Sequence, residues 1–359
     1  MIDSYNFEDR KLVEIVKATY FNPKIVVIDE TTTALSQEGR EELYKHMERI
    51  RKSGNTVIFI SHDLPEIIEK SDTITILRDG VYIDTVKSKD VNENDLKKLM
   101  VGREVTGDYY RSDYGEKISD EVVLSAKHVT VPGLIEDVSF DLHKGEILGF
   151  GGLSESGMHE IGKAIFGASY DREGTVELAD GTQINDIPTA IKHSIAYTSK
   201  DRDNESVVLN QSIGDNICLP SLDELSGPAH LISDKKKKDF ANKFAKQMSV
   251  KMVDVNQFVS NLSGGNKQKV VLARWIGKDS DIVVLDSPTR GIDIKVKQDI
   301  YQLMNQMRKN GKSIIMISEE LMELIGMCDR IMIMKDGKIS GELERDQNLD
   351  ENGLITMMV

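Results

Sequence analysis

Cysteine is almost missing from this chain: Cys218 and Cys328 are the two among 359 residues, far apart and matching no metal-ligand spacing. That excludes a disulfide scaffold and a cysteine-built metal cluster, and it fits a reduced, cytosolic compartment in which both thiols serve as packing. Long apolar runs are missing as well. "IVVI" and "TVIFI" end after four and five residues, against the ~20 that a membrane-spanning helix needs, and the stretch "MIDSYNFEDRK" has no apolar secretory core. A membrane role would have to come through a partner. The third shortage is of basic charge: 46 lysines and arginines stand against 60 aspartates and glutamates, a net charge of −14. Such a balance lacks the basic face of a general nucleic-acid binder, so no nucleic-acid partner is expected.

What the sequence does contain, it contains twice. "KIVVIDETTTAL" from Lys24 resembles "DIVVLDSPTRGI" from Asp281, 257 positions later, and the offset then holds without a gap. Asp29 maps to Asp286, Gly54 to Gly311, Ser61 to Ser318, Asp72 to Asp329 and Gly80 to Gly337. A fixed offset in a chain longer than one core usually serves implies two homologous domains. Each copy alternates short β-branched apolar runs with longer helical patterns, in the first a strand over 25–28, a helix over about 37–53 and a strand over 56–60. This is the pattern of a parallel α/β sheet, and strands apolar at every position imply helices on both faces. The copies are unequal, because a long segment over roughly 122–280 precedes Asp286 while residues 1–28 precede Asp29. The expected organisation is the C-terminal half of a first domain over 1–102, a linker over 103–121 and a second domain over 122–359. The linker stretch "REVTGDYYRSDYGEKISDE" is polar and without apolar period.

Two carboxylates, Asp29 and Glu30, close the strand in "KIVVIDE", at the edge where open α/β sheets place ligand chemistry. There an aspartate would hold a magnesium ion and a glutamate would orient or deprotonate an attacking water. His62 in "FISHDL" follows the next apolar strand and could reach a terminal phosphate from the same edge. A solvated turn and a structural histidine are the plainer readings of each feature alone. Their repetition in order favours nucleotide chemistry.

"NLSGGNKQKVVLARW" places Ser263, Gly264, Gly265 and Asn266 before a helical pattern whose buried face offers Val270, Val271 and Trp275. Helix N-termini attract anions through free N–H groups and the helix dipole. An ordinary cap with Ser263 at the N-cap is the alternative. "GGLSESGMHEIGKAIFG" follows the apolar strand "EILGF" and leads into a helix, with Gly152 and Gly157 at the G-x-x-x-x-G spacing of a phosphate loop. The next two residues should be lysine, for the β and γ phosphates, and serine or threonine, for magnesium; here they are Met158 and His159. The same copy has Ser287 where the first has Glu30, and Glu319 where the first has His62. Three losses in one site argue for a nucleotide pocket that does not hydrolyse, or for a loop that merely connects strand to helix.

On these residues the chain resembles the ABC transporters, in "NLSGGNKQKVVLARW" their signature and in "DIVVLDSPTRGID" and "IVVIDETTTAL" their Walker B and D-loop. It is most similar to the tandem ATP-binding subunit of bacterial sugar importers of the ribose, galactose and xylose type. The resemblance implies P-loop NTPase-like α/β ATPase domains in tandem, the first one incomplete. It implies ATP and Mg2+ as cofactors, with Asp29 and Asp286 as the metal aspartates, Glu30 and His62 as catalytic residues, and Ser263, Gly264, Gly265, Asn266, Gly152 and Gly157 around nucleotide. "YTSKDRD" from Tyr197 resembles the stretch near a permease-contacting loop. The implied role is energy coupling at the cytoplasmic face of a membrane, docked on an integral-membrane sugar permease. "YNFEDRK" from Tyr5 stands where the first signature belongs, its glycines gone, and no aromatic precedes "IEDVSF" to stack on adenine, where Val131 and Pro132 stand. With no lysine-bearing phosphate loop in the sequence, the isolated chain is expected to hydrolyse ATP weakly or not at all. The missing half is expected from a separately encoded N-terminal ATPase fragment. The alternative is a non-catalytic fragment that binds a permease or an intact paralogue.

Overall fold

The computed structural model describes residues 7–21, 23–29, 31–32, 35, 37–61, 63–78, 81–93, 95–96, 99, 109–113, 118–153, 155–227, 231–292, 294–346 and 349–358. The chain forms two compact units, Met1–Gly107 with Asp293–Lys295, and Asp108–Ile292 with Val296–Val359.

In unit 1, α1 (Phe7–Thr19) leads into β1 (Ile25–Asp29), α2 (Gln37–Lys52), β2 (Thr56–Ile60), α3 (Leu64–Lys70) and the antiparallel pair β3 (Thr73–Arg78) and β4 (Val81–Lys87). The alternation of short apolar runs with an amphipathic helix gives the parallel pair read from sequence, with Ile25 opposite Thr56 and Asp29 opposite Ile60. Val26 and Ile28 cluster with Leu35 and with Leu43 and Met47 of α2. The other face departs from the two-sided burial expected of such strands: Ile25 and Val27 are 59% exposed, and Ile58 and Ile60 47% and 45%.

Unit 2 shows why. Its elements are β5 (Val122–Val131), β6 (Ile135–His143), β7 (Ile147–Gly152), α4 (Met158–Ile165), β8 (Glu173–Leu178), α5 (Ile187–Lys192), β9 (Ile195–Thr198), α6 (Ile213–Cys218), α7 (Leu222–Leu225), α8 (Asp234–Gln247), α9 (Gly264–Lys278), β10 (Ile282–Asp286), α10 (Ile294–Lys309), β11 (Ser313–Ile317), α11 (Leu321–Met327), β12 (Arg330–Lys335), β13 (Lys338–Glu344) and α12 (Glu351–Met358). A six-stranded sheet runs β13-β12-β7-β11-β10-β9, parallel except for β13, and a three-stranded antiparallel sheet runs β6-β5-β8. β10 and β11 pair in the register of β1 and β2, Ile282 with Ser313 and Asp286 with Ile317, but every residue of both is buried. They have β7 and β9 beside them and α4 across one face. α4 comes so near that a Cβ on its Gly162 would stand 3.3 Å from Val284 and 3.0 Å from Ile317, the counterparts of Val27 and Ile60. No helix covers those two among the described residues of unit 1.

The repeat extends to a buried acid that sequence inspection passes over. Glu66 accepts hydrogen bonds from Thr32 Oγ1 (3.1 Å), Ser61 Oγ (2.7 Å) and the Tyr44 hydroxyl. At the same offset, Glu323 accepts from Thr289, Tyr301 and Ser318 and pairs with Lys297. In each unit this carboxylate ties the turn after the Asp-bearing strand to the two helices that follow.

Within the stretch read as a linker, Tyr109–Asp113 packs onto unit 2. Tyr110 packs against Tyr301 with its ring tilted, centroids 5.3 Å apart, and Tyr109 meets it edge-on at 5.4 Å. Arg111 is buried, donating to Asp329, Asp113 and the Met327 carbonyl. Two rings and a guanidinium on an irregular segment leave no periodic signature. Burial raises the Asp113 pKa, but the Arg111 hydrogen bonds and charge, with Arg308 behind them, outweigh it and hold the value at about 2. A depressed carboxylate contributes stability that is present above its unfolded pKa and lost as pH falls through the folded one. Asp113→Asn should therefore cost about 2 kcal/mol at pH 7, with the gap narrowing to roughly half by pH 3. Urea titrations followed by Trp275, the single tryptophan, read this in unit 2; a gap independent of pH would refute it.

Candidate nucleotide site

The loop between β7 and α4 keeps the geometry that its two glycines suggest. Gly157 caps α4 in the left-handed region at φ +90°, where a Cβ would also fall 2.5 Å from the Leu134 carbonyl oxygen. A Cβ on Gly152 would fall 2.3 Å from Ser156 Oγ. Ser156 is buried, and its hydroxyl has no hydrogen-bond partner among the described residues. An orphaned hydroxyl in a glycine loop at a helix start fits an anion such as a phosphate. The lysine that would accompany it is replaced by Met158, whose side chain is fully buried in the core.

His159 takes up the rest of the site. Its Nδ1 lies 2.7 Å from Asp286 Oδ1, at the carboxyl end of β10, and its Nε2 lies 3.3 Å from Glu319 Oε1, just beyond β11. The imidazole is 3% exposed and the Asp286 side chain 1%. The Tyr197 hydroxyl donates to Asp286 Oδ2 at 3.4 Å and Ser287 Oγ to Oδ1 at 3.4 Å. Burial opposes protonation of the ring, but the bonds to Asp286 and Glu319 and the charge of Asp286 outweigh it, holding the imidazole above its ordinary pKa despite Lys200. A carboxylate oxygen stands at each ring nitrogen, the arrangement in which a protonated imidazole donates from both. A magnesium ion does not fit Asp286 as it stands, because both carboxylate oxygens already have partners, His159 on Oδ1 and Tyr197 on Oδ2. Among the described residues no group of three or more histidines, cysteines or acids is arranged to hold a metal.

The structure thus joins two positions read from sequence as separate losses, 159 and 319, to the retained Asp286, and adds Tyr197 and Ser156, which sequence reading did not place in the site. The available signal was the coupled change: a histidine enters the loop in the same copy that trades histidine for glutamate after β11.

The Ser263–Asn266 motif opens α9. Ser263 sits at the N-cap, yet its hydroxyl makes no capping bond and accepts from Asn266 Nδ2 at 3.0 Å. The Asn266 side-chain oxygen in turn accepts from Lys251 N at 2.8 Å. The plain cap reading therefore gets the position but not the bond. Ser263 is exposed and Gly264, Gly265 and Asn266 are half-buried. Val270, Val271 and Trp275 are buried as expected. Arg274, also buried, fixes α9 to the irregular turn after β9 by donating to the Ser206 carbonyl at 2.6 Å, and to α6 by donating to the Asn216 carbonyl at 2.7 Å; burial pushes its pKa down to about 10. Lys267 reaches Asp203 in that turn at 3.1 Å, and this is the segment "YTSKDRD".

In unit 1, Asp29 is exposed at the end of β1, its backbone carbonyl accepting from Thr31 Oγ1 at 3.3 Å. Glu30 and His62 lie outside the described residues. An exposed carboxylate at a strand's carboxyl end fits a magnesium ligand.

A family model described as ABC transporter matches residues 135–290. The ribose import ATP-binding protein RbsA of Lactococcus lactis subsp. lactis is 40% identical over 352 residues, covering 98% of this chain and 70% of that protein. The xylose import ATP-binding protein XylG of Thermoanaerobacter pseudethanolicus is 42% identical over 350 residues, covering 94% of this chain and 68% of that protein. Among solved structures, a dimeric bacterial ABC transporter cassette aligns with a TM-score of 0.55 at 22% identity, covering 62% of this chain and 99% of that one. A nucleotide-free cassette aligns at 0.56 and 18% identity, covering 66% and 99%. At these identities the structural likeness speaks for the fold.

Proposed function

The chain belongs to the ATP-binding subunits of bacterial sugar ABC importers, and from that premise we propose that it couples ATP binding and hydrolysis to carbohydrate uptake through an integral-membrane permease. The observation that carries this reading is the 40% identity to a ribose import ATP-binding protein across 98% of the chain. No helix among the described residues is long and apolar enough to cross a membrane; the position proposed for the chain is peripheral, on the permease at the cytoplasmic face, by its likeness to import ATP-binding proteins.

Bound ATP would supply the γ-phosphoryl group whose transfer to water drives the cycle. In unit 2, Ser263, Gly264, Gly265 and Asn266 would offer hydroxyl and backbone N–H donors to its phosphates, while Gly152, Ser156 and Gly157 form a second phosphate-shaped loop. In unit 1, Asp29 would hold magnesium, Glu30 would orient and deprotonate the attacking water, and His62 would contact the terminal phosphate. Neither unit supplies a phosphate-loop lysine, since no G-x-x-x-x-G-K-[ST] stretch occurs in the sequence. The open face at Val27 and Ile60 matches the one that α4 covers in unit 2, where β7 pairs with β11, so a strand and helix bearing such a loop would complete the first sheet. We assign that role to a lysine-bearing phosphate-loop ATPase domain acting with this chain.

The test is magnesium-dependent ATP turnover by the purified 359-residue chain, alone and with an added lysine-bearing phosphate-loop domain, on permease-containing vesicles. The expected result is little or no turnover by the chain alone and sugar-coupled turnover once the domain is added. Full turnover by the chain alone would overturn the assignment. The second reading, a non-catalytic subunit that binds a permease or an intact paralogue, is favoured by Ser287 and Met158, and would show as permease binding without turnover in either arm.

A further inference from the structure

Position 159 is where a phosphate loop places the hydroxyl that binds magnesium, and here an imidazole fills the space before Asp286. We propose that the His159 side chain stands in the place of the cation in unit 2, excluding magnesium from Asp286 and clamping α4 to the ends of β10 and β11. The inference rests on reading this loop as a nucleotide site, and it makes that site metal-free: any nucleotide the loop takes, it takes without magnesium.

Three observations carry it. Both oxygens of Asp286 already have partners, His159 Nδ1 at 2.7 Å and the Tyr197 hydroxyl at 3.4 Å. The second nitrogen of the ring reaches Glu319, so one residue bridges α4 to the segments after two neighbouring strands. The pair is nearly sealed, at 3% and 1% exposure, so no open coordination position remains beside the carboxylate. Magnesium demands oxygen ligands in a near-octahedral shell and gives up its waters reluctantly. It would have to break a buried charge-assisted hydrogen bond and displace a ring. A hydroxyl side chain at 159 restores both the room and the ligand type.

The experiment is manganese(II) binding to the full chain in the presence of ADP, counted by electron paramagnetic resonance, with nucleotide binding followed in parallel by Trp275 fluorescence. The background is Asp29→Asn, an exposed change that removes the candidate metal carboxylate of unit 1. In that background the expected count is no protein-bound manganese, rising to one per chain when His159→Thr is added; His159→Ser serves as a second variant. Manganese held by the Asp29→Asn chain at Asp286 would overturn the proposal, and that measurement needs no change in unit 2. Failure of both His159 variants to gain an ion would equally overturn the claim that the imidazole is what excludes it. Absence of any nucleotide response sinks the underlying reading of the loop, whereas manganese-dependent nucleotide binding sinks this inference alone.

Discussion

Replacing Glu30 with glutamine is expected to lower ATP turnover in the assembled importer by about 10²–10⁴-fold while nucleotide affinity stays the same. Asp29 ends β1 at the exposed edge of a parallel pair, and Glu30 is the next residue. On the proposed assignment, a metal-binding carboxylate followed directly by a second acid would place a charge and a proton acceptor side by side. Glutamine keeps the size and the hydrogen-bonding reach but cannot take a proton from the attacking water. Loss of a general base costs about 10²–10⁴-fold, and because it removes an interaction made in the transition state, kcat falls while ground-state binding is spared. Turnover on permease-containing vesicles, beside ATP binding by the same preparation, separates the two. A variant that binds ATP normally and turns over within a few-fold of the parent would show that Glu30 is not the base. Unit 2 offers no fallback, since Ser287 occupies the matching position and the adjacent Asp286 is bonded to His159.

The repeat, the parallel pairing and the helix after Ser263 were legible because they are written in local patterns: apolar runs, spacing, and residues that recur at one offset. The helix read as about 37–53 ends at Lys52, and the strand read as 25–28 runs to Asp29. The site was legible as a set of losses and illegible as an arrangement. His159 lies 127 positions from Asp286 and 160 from Glu319, and no periodicity reports a contact across three loops. The exposed Val27 and Ile60 show the same limit in reverse. Their apolar character encodes burial, but what buries them is not a local property. Tyr110 and Arg111 went unread for a further reason, since a polar-looking stretch can dock through three side chains without any regular element.

Changing Glu323 to alanine should cost unit 2 more stability than any other single substitution considered in this protein. The side chain is 1% exposed and accepts from Thr289, Tyr301 and Ser318 while pairing with Lys297 at 3.3 Å. Burial lowers the Lys297 pKa, but the charges of Glu323 and Glu320 outweigh it and hold the ammonium above its ordinary value. Removing Glu323 leaves that ammonium with Glu320, itself half open to solvent, and strips three hydroxyls of their common acceptor. Breaking a buried pair from one side costs about 3–5 kcal/mol, because the surviving charge stays buried. For a unit of this size that lowers the midpoint by about 6–20 °C, read by thermal unfolding of Trp275. Glu323→Gln, which keeps an acceptor and the volume, should lose distinctly less. Equal losses in the two variants would mean that filling the space, and not the shared carboxylate, is what holds the turn after β10 to α10 and α11.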